Sequence, residues 1–322
     1  MGAVLRVRSA AFLKVHEFFA VDNFIHVNTP ILTSIDCEGA GEMFKVSSPL
    51  ENQVSSYLTV SGQLHAEIFS NSLQKVYTFG PTFRAENSNT SRHLSEFWML
   101  EPEVAFHSSS DSMTLAENCV KHILQGLYAN YSNDIENLYS ITDDRSLREK
   151  DLQNAIERPF IRLSYNQAID ILQKSERDFM MAVVWGYPLQ SEHERYLTEE
   201  YGCRTPIFVT DFPAACKAFY MKRIPENPNH VACFDLLFPR IGELIGGSAR
   251  EDNLELLHRR MLAKLGSEAS EKLEWYLDLR RFGSVPHAGW GMGFERFVQF
   301  VTGVENIRDT IPIPRTPGAI CL

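Results

Sequence analysis

Between Phe79 and Glu101 the chain reads FGPTFRAENSNTSRHLSEFWMLE, which places Arg84, Glu86, Arg92, His93 and Phe97 within fourteen residues. Successive strand residues point to opposite faces, so a strand ending in Phe83-Arg84-Ala85-Glu86 sets Arg84 and Glu86 side by side. A polar loop from Asn87 to Leu94 carries the Arg92-His93 pair, and a returning strand brings Phe97 and then Glu101. Guanidinium groups pair bidentately with phosphate oxygens. A carboxylate accepts from an exocyclic amine, and an aromatic ring stacks on a base. Together these groups suit a nucleoside triphosphate. Taken alone, the same residues also describe a surface ribbon laced with weak ion pairs.

Four further stretches carry chemistry. In Asp235–Asn253, DLLFPRIGELIGGSAREDN, Glu243 closes an apolar run before Gly246-Gly247, and Arg250 follows seven residues after Glu243. Strand acids such as Asp235 and Glu243 beside a bound phosphate suit Mg²⁺, which takes one or two carboxylates plus phosphate oxygens. In Pro286–Phe297, PHAGWGMGFERF, a glycine-rich strand admits close approach to its backbone. The following helix should bury Phe294, Phe297, Val298 and Val301 and stop at Gly303. Arg296 lies off that stripe near the helix start, where phosphate meets both the guanidinium and free N–H groups. No GxxxxGK[ST] loop and no dinucleotide fingerprint occurs.

Tyr57–Glu67 reads as a strand running into Ser61-Gly62 and a helix beginning near Gln63. Ser61, Gln63 and Glu67 then stand where a strand delivers a ligand, and Gln63 and Glu67 share one helix face. The loop DCEGAGEMFKV, residues 36–46, holds Glu38 and Glu42; a carboxylate there either holds a substrate ammonium or is simply solvated.

The positioning elements follow from pattern. Ala11, Val15 and Phe18, with Phe12 and Phe19 beside them, give an opening helix over about residues 5–20. Its Arg6, Arg8 and Lys14, with no acid in the first sixteen residues, resemble a transit peptide faintly, but the spacing favours a structural helix. A strand is expected from Phe24 to Leu32, placed at an edge by Pro30 and offering a dimer surface. Helices are expected over 111–130, 251–265 and 268–281, and strands over 206–210 and 231–237. Residues 143–158 read as a charged, solvated helix or loop. Capping boxes at Ser164–Gln167 and Ser191–Glu194 should start two more helices.

The 322 residues are 44% hydrophobic, enough for a substantial core, and no apolar run approaches a membrane span. A net charge of −10 argues against binding nucleic acid through a general basic surface, though not against a local basic site. Six scattered cysteines lack zinc spacing and read as reduced thiols.

In this order, the helix and strand ending at Pro30, the FRAE…RH…EF hairpin and the GMGFER strand–helix resemble the three signatures of the class II aminoacyl-tRNA synthetases. Within that class the wording DCEGAGEMFKV, TVSGQLHAE, GPTFRAENSNTSRHLSEF, GELIGGSARE and PIPRTP is similar to the asparaginyl members. DLRRFGSVPH brings it nearest to their mitochondrial form. The resemblance implies an α+β fold, a six- to seven-stranded antiparallel sheet flanked by helices. It implies one catalytic domain spanning 1–322, with a helical elaboration at roughly 107–200, and a homodimer. The implied substrates are ATP, asparagine and tRNA(Asn), with Mg²⁺ as cofactor, and the implied location is the mitochondrial matrix, with the cytoplasm as the alternative. Family members normally carry an N-terminal barrel that reads the anticodon. This chain begins at the catalytic helix, so that domain is expected to be missing.

Carried over by motif, Arg84 would hold the α-phosphate and stabilise its transition state, Glu86 would read the adenine amine and Phe97 would stack under the base. His93 with Arg92 would meet the outer phosphates, Arg296 would clamp the γ-phosphate, and Glu243 with Asp235 would hold Mg²⁺. Glu38 would pair with the asparagine ammonium, while Arg250 and Glu67 would read its side-chain carbonyl and amide. Related aspartate enzymes resemble SxQLxKQ at this place, whereas this chain has Ala66 and Glu67. Losing a cation and gaining an anion penalises aspartate directly. That also weighs against an aspartate-activating, tRNA-independent asparagine synthetase, and the filled phosphate-binding positions weigh against a non-catalytic binding protein.

Overall fold

The computed structural model describes residues 1–34, 43–47, 55–88 and 90–319. Helix α1 (Gly2–Val21) buries Val4, Val7, Ala11, Val15 and Phe19, a stripe at helical spacing. It ends at Asp22, and Asn23 follows in the left-handed region, which asparagine tolerates. The strand expected from Phe24 to Leu32 is two short strands, β1 (Ile25–His26) and β2 (Leu32–Thr33), serving different sheets. Pro30, which cannot donate to a ladder, lies between them. β2 joins β3 (Lys45–Val46) and β4 (Ser56–Leu58) in a small antiparallel sheet.

Helix α2 (Gln63–Leu73) leads into the long hairpin β5 (Lys75–Phe83) and β6 (Glu96–Ala105). Next come α3 (Ser109–Ser140), α4 (Arg145–Glu157), β7 (Ile161–Ser164), α5 (Tyr165–Lys174) and α6 (Ser191–Arg195). A π-helical turn, Tyr196–Tyr201, continues α6 into β8 (Ile207–Thr210). A ribbon of β9 (Arg223–Ile224) and β10 (Asn227–Val231) precedes the hairpin β11 (Cys233–Phe238) and β12 (Gly242–Ala249). The chain closes with α7 (Leu254–Leu265), α8 (Ser267–Lys272), α9 (Glu274–Arg281), β13 (His287–Gly293) and α10 (Phe294–Thr302). Among the described residues no helix is long and apolar enough to cross a membrane.

The main sheet has eight strands in the order β1-β5-β6-β13-β12-β11-β8-β7. The run from β5 to β8 is antiparallel, and one parallel strand is added at each edge, β1 on β5 and β7 on β8. Period two splits it into two faces. Leu100, Val104, Phe234, Leu236 and Trp290 point to a core shared with α1, α3 and α10. Phe97, Met99, Glu101 and Glu103 on β6 alternate with that set and point the other way. The main core is on one side; the other carries these β6 residues and, at the β11–β8 end, a second apolar cluster of Val209, Cys233 and Leu237 with α5.

Several local expectations change. Within the segment 107–200, α3 and α4 pack into the main core, β7 joins the main sheet, and α5 packs on β8 and β11. The 143–158 segment is the helix α4, and it is not simply solvated: Arg148 and Asp151 are buried because each has an ionic partner. The Ser164–Gln167 box forms as expected, with Ser164 Oγ and Gln167 Oε1 each accepting the other's N–H. The Ser191 box does not. Helix α6 starts one residue earlier, where the Gln190 N–H donates to His193 Nδ1 at 3.1 Å. The 268–281 helix is broken at Leu273 into α8 and α9.

Gly247 pairs with Phe234 and Trp290 on the core face, and a Cβ there would press on the Phe234 ring and lie 2.7 Å from Trp290 Cβ. Gly247→Ala is therefore expected to cost about 1–3 kcal/mol through overpacking. Urea unfolding should show a lower midpoint at unchanged slope; an unchanged midpoint would mean the core yields there without cost.

Candidate active site

One cavity on the outward face of the sheet is lined by Arg84, Glu86, Arg92, His93, Phe97, Glu243 and Arg296, which brings together the whole expected ATP-binding set. Arg84 and Glu86 lie just past the end of β5 rather than on it, although the Arg84 N–H still donates to Ser95 at 3.0 Å. The Arg84 guanidinium sits over the Phe97 ring, 5.4 Å from its centroid. His93 Nδ1 contacts Ser88 Oγ and Thr90 Oγ1. Burial, then the Arg296, Arg84 and Arg92 charges, hold this imidazole below its ordinary pKa, and Glu86 opposes them. Arg296, in the first turn of α10, donates to the Glu243 carbonyl at 2.6 Å, which ties α10 to β12 beside the cavity.

Glu243 reaches this face through an irregularity. The β11–β12 register slips between Leu236 and Leu237, leaving Leu244 as the extra residue of a bulge. A bulge re-aims the side chains beyond it, so Glu243 joins Asp235 and Gly246 on one face despite its odd spacing from Gly246. A methyl group on Gly246 would lie 2.9 Å from Glu243 Oε1 and 3.9 Å from Asp235 Oδ1. Asp235, read above as a second magnesium ligand, is also held by Lys217 at 2.6 and 2.7 Å. Burial pushes its carboxyl up, the Lys217 ammonium opposes and Glu243 adds to the rise. Glu194, from α6, completes the group: burial, then Glu243 and Asp235, push its pKa up to about 7 against the pull of Arg296 and Arg92. Asp235 and Glu243 share one face of the hairpin, and two such hard oxygen donors suit a divalent cation that also takes phosphate oxygens; among the described residues no group of three acids, histidines or cysteines is placed to hold a metal ion by itself.

The expected amino-acid set lies beside the cavity and is closed. Ser61 Oγ donates to Glu101, and the Gly62 N–H donates to the same carboxylate at 2.8 Å. Glu67 is fully buried, which excludes a solvent-facing role. Its oxygens accept from Gln63 Nε2 (3.1 Å), Tyr276 OH (2.8 and 2.9 Å), Arg280 (3.0 Å) and His287 Nε2 (2.9 Å). Burial opposes its ionisation, but Arg280, the His287 hydrogen bond and Arg250 outweigh it and hold the carboxyl well below the usual range. Arg250 lies 3.9 Å from Glu67 and is gripped by both Glu103 oxygens and by Ser248 Oγ at 2.9 Å. Glu103 occupies the space that a side chain at Gly289 would need. Glu38 falls outside the described residues.

Sequence pattern does not single out Glu103, Glu194, Lys217, Ser248, Tyr276, Arg280 or His287. Glu103 has a readable signal, since it shares strand parity with Phe97. Arg280 and His287 both lie within DLRRFGSVPH, although nothing local ties them to Glu67.

A family model described as tRNA synthetases class II (D, K and N) matches residues 1–317. The chain is 52% identical to the asparagine–tRNA ligase of Desulfotalea psychrophila, over 99% of this chain and 70% of that one. It is 50% identical to the asparagine–tRNA ligase of a Nostoc species, over 98% and 71%. Among solved structures it is similar to asparaginyl-tRNA synthetase from Pyrococcus horikoshii complexed with asparaginyl-adenylate. That match has a TM-score of 0.89 and 39% identity, and covers 99% of this chain and 69% of that one. Aspartyl-tRNA synthetase from Entamoeba histolytica is similar at a TM-score of 0.76 and 29% identity, over 98% and 58%. The chain belongs to the class II tRNA synthetase family of the D, K and N enzymes.

Proposed function

We infer that the protein is an asparagine–tRNA ligase. In the first step the asparagine carboxylate attacks the α-phosphorus of ATP; a carboxylate–phosphorus bond forms and pyrophosphate leaves. In the second, a terminal ribose hydroxyl of tRNA(Asn) attacks the activated carbonyl, and AMP departs. The observation that carries the asparagine assignment is Glu67. A buried anion stands 3.9 Å from Arg250, at the place where aspartate enzymes resemble a lysine-bearing motif.

Arg84 binds the α-phosphate and stabilises the charge that develops there, Glu86 accepts from the adenine amine, and Phe97 supports the ring. Arg92, His93 and Arg296 take the outer phosphates. Arg250 donates to the asparagine side-chain carbonyl and Glu67 accepts from its amide, one of the present Glu67 hydrogen bonds giving way. Glu38 takes the ammonium, and Ser61 and Gln63 frame the site with Glu101. Glu243 with Asp235 would hold Mg²⁺, which supplies charge neutralisation on the phosphates. Leu13 and Val21 on α1, Ile25 on the edge strand β1 and Leu32 on β2 are exposed, and these support a homodimer built on this edge. A mitochondrial location rests on the likeness of DLRRFGSVPH to that form, with the cytoplasm as the alternative.

ATP–pyrophosphate exchange without tRNA tests the first step: exchange is expected with asparagine and not with aspartate. Exchange driven by aspartate would overturn the assignment. Arg84→Ala should slow exchange by at least about a hundredfold, as loss of a preorganised donor to a developing oxyanion does. A loss below tenfold would remove Arg84 from that role. Glu67→Gln should narrow the preference for asparagine over aspartate, read as a ratio of kcat/KM values. An unchanged ratio would mean that Glu67 does not face the substrate side chain.

A further inference from the structure

The turn joining β11 to β12 stands at the outer-phosphate end of the cavity, and it is clamped to a degree that holding two strands together does not require. Arg240 sits in that turn at φ 67, a conformation that non-glycine residues adopt only where their surroundings over-determine it. Its backbone N–H donates to Glu199 Oε1 in the π-helical turn at 2.9 Å. Its side chain donates from Nε to Asp151 Oδ2 of α4 at 2.8 Å, and from a terminal nitrogen to the Phe300 carbonyl of α10 at 3.3 Å. Asp151 is fully buried and is fixed in turn by Arg204, at 2.6 and 2.9 Å.

The Arg240 carbonyl accepts from the guanidinium of Arg92, which lines the cavity, at 3.2 Å. Two residues on, Gly242 has φ 79; a side chain there would run into Glu194 and come within 3.6 Å of the same guanidinium. Arg92 lies on the loop between β5 and β6, whose described residues carry no regular structure. Its guanidinium is held from outside that loop, by the Arg240 carbonyl and by the Glu194 charge of α6.

We propose that Arg240 is a positioning residue for Arg92: its links to Asp151 and Glu199 fix the carbonyl that aims the Arg92 guanidinium at the outer phosphates of ATP. This rests on the reading of Arg92 as an outer-phosphate ligand. It gives the segment from α4 to Arg204 a task in the nucleotide site, and it makes a specific signature. Loosening the turn weakens whatever binds through the β- and γ-phosphates and leaves the adenosine and α-phosphate contacts alone.

Arg240→Gly suits the test, because glycine accepts the left-handed turn while the anchoring side chain is lost. Dissociation constants for ATP and for AMP are measured by equilibrium dialysis at fixed magnesium, in the parent chain, Arg240→Gly, Arg92→Ala and the double variant. ATP binding is expected to weaken about three- to tenfold in Arg240→Gly, as for one misaligned charge-assisted hydrogen bond. AMP binding should not move, and Arg240→Gly should add nothing in the Arg92→Ala background. Asp151→Asn, which keeps the shape of the anchor and removes its charge, should act in the same direction and stands in if the first variant does not fold.

Equal weakening of ATP and AMP, or full additivity with Arg92→Ala, would overturn the proposal in favour of a purely structural clamp. If Arg92→Ala weakens ATP binding but Arg240→Gly and Asp151→Asn do not, the proposal alone falls. If Arg92→Ala leaves ATP binding unchanged, the phosphate role of Arg92 falls and takes the proposal with it.

Discussion

The elements beside the cavity are held together by one buried balance of charge. Glu67 and Glu103 are set against Arg250 and Arg280, with His287 and Tyr276 supplying hydrogen bonds, and the four ionic side chains are buried. Such a cluster brings little net stability, because desolvation offsets most of the attraction, but removing one member leaves an uncompensated charge at a cost of about 3–5 kcal/mol. The members come from α2, β6, the end of β12, α9 and the start of β13. Each of these elements is fixed relative to the others by a bond that cannot be broken cheaply.

The nucleotide side is built differently. Its cations stand on a loop and at a helix start, and burial together with their charges holds His93 below its ordinary pKa. Burial raises the proton affinity of the acids Glu194 and Asp235, and the Glu243 charge adds to both. Cations and acids stand side by side here: a side chain at Gly242 would meet Glu194 and come within 3.6 Å of Arg92, Arg296 donates to the Glu243 carbonyl, and Asp235 is paired with Lys217.

This difference explains what was legible in the sequence. Arg84, Glu86, Arg92, His93 and Phe97 could be read because they lie close together on one hairpin, where loop length and strand parity fix who faces whom. Glu243 and Arg296 could be read from the glycine-rich strands beside them. The bulge that turns Glu243 inward could not, since a one-residue slip in register leaves no local mark. Nor could the partners of Glu67 be found, for Tyr276, Arg280 and His287 lie more than two hundred residues away in sequence. A lone chain shows which charges exist and not which ones meet. Helix α4 went astray for the same reason: its charges look solvated until Arg204 and Arg240 are folded against Asp151.

The fold itself was legible in outline because alternation and helical spacing are local properties, and its two faces follow from them directly. Their consequence is functional. Glycines at 289, 291 and 293 and at 246 leave the outward face of the central strands without side chains, and the neighbouring acids and methionine lean into the spaces so left. Bulky residues at the alternate positions, Trp290 and Met292, lock the same strands onto α1, α3 and α10. A strand that is bare on one face and heavily packed on the other can hold a ligand against its backbone without loosening the core. That division lets a fixed charge cluster and an open, strongly polarised nucleotide cavity share one sheet.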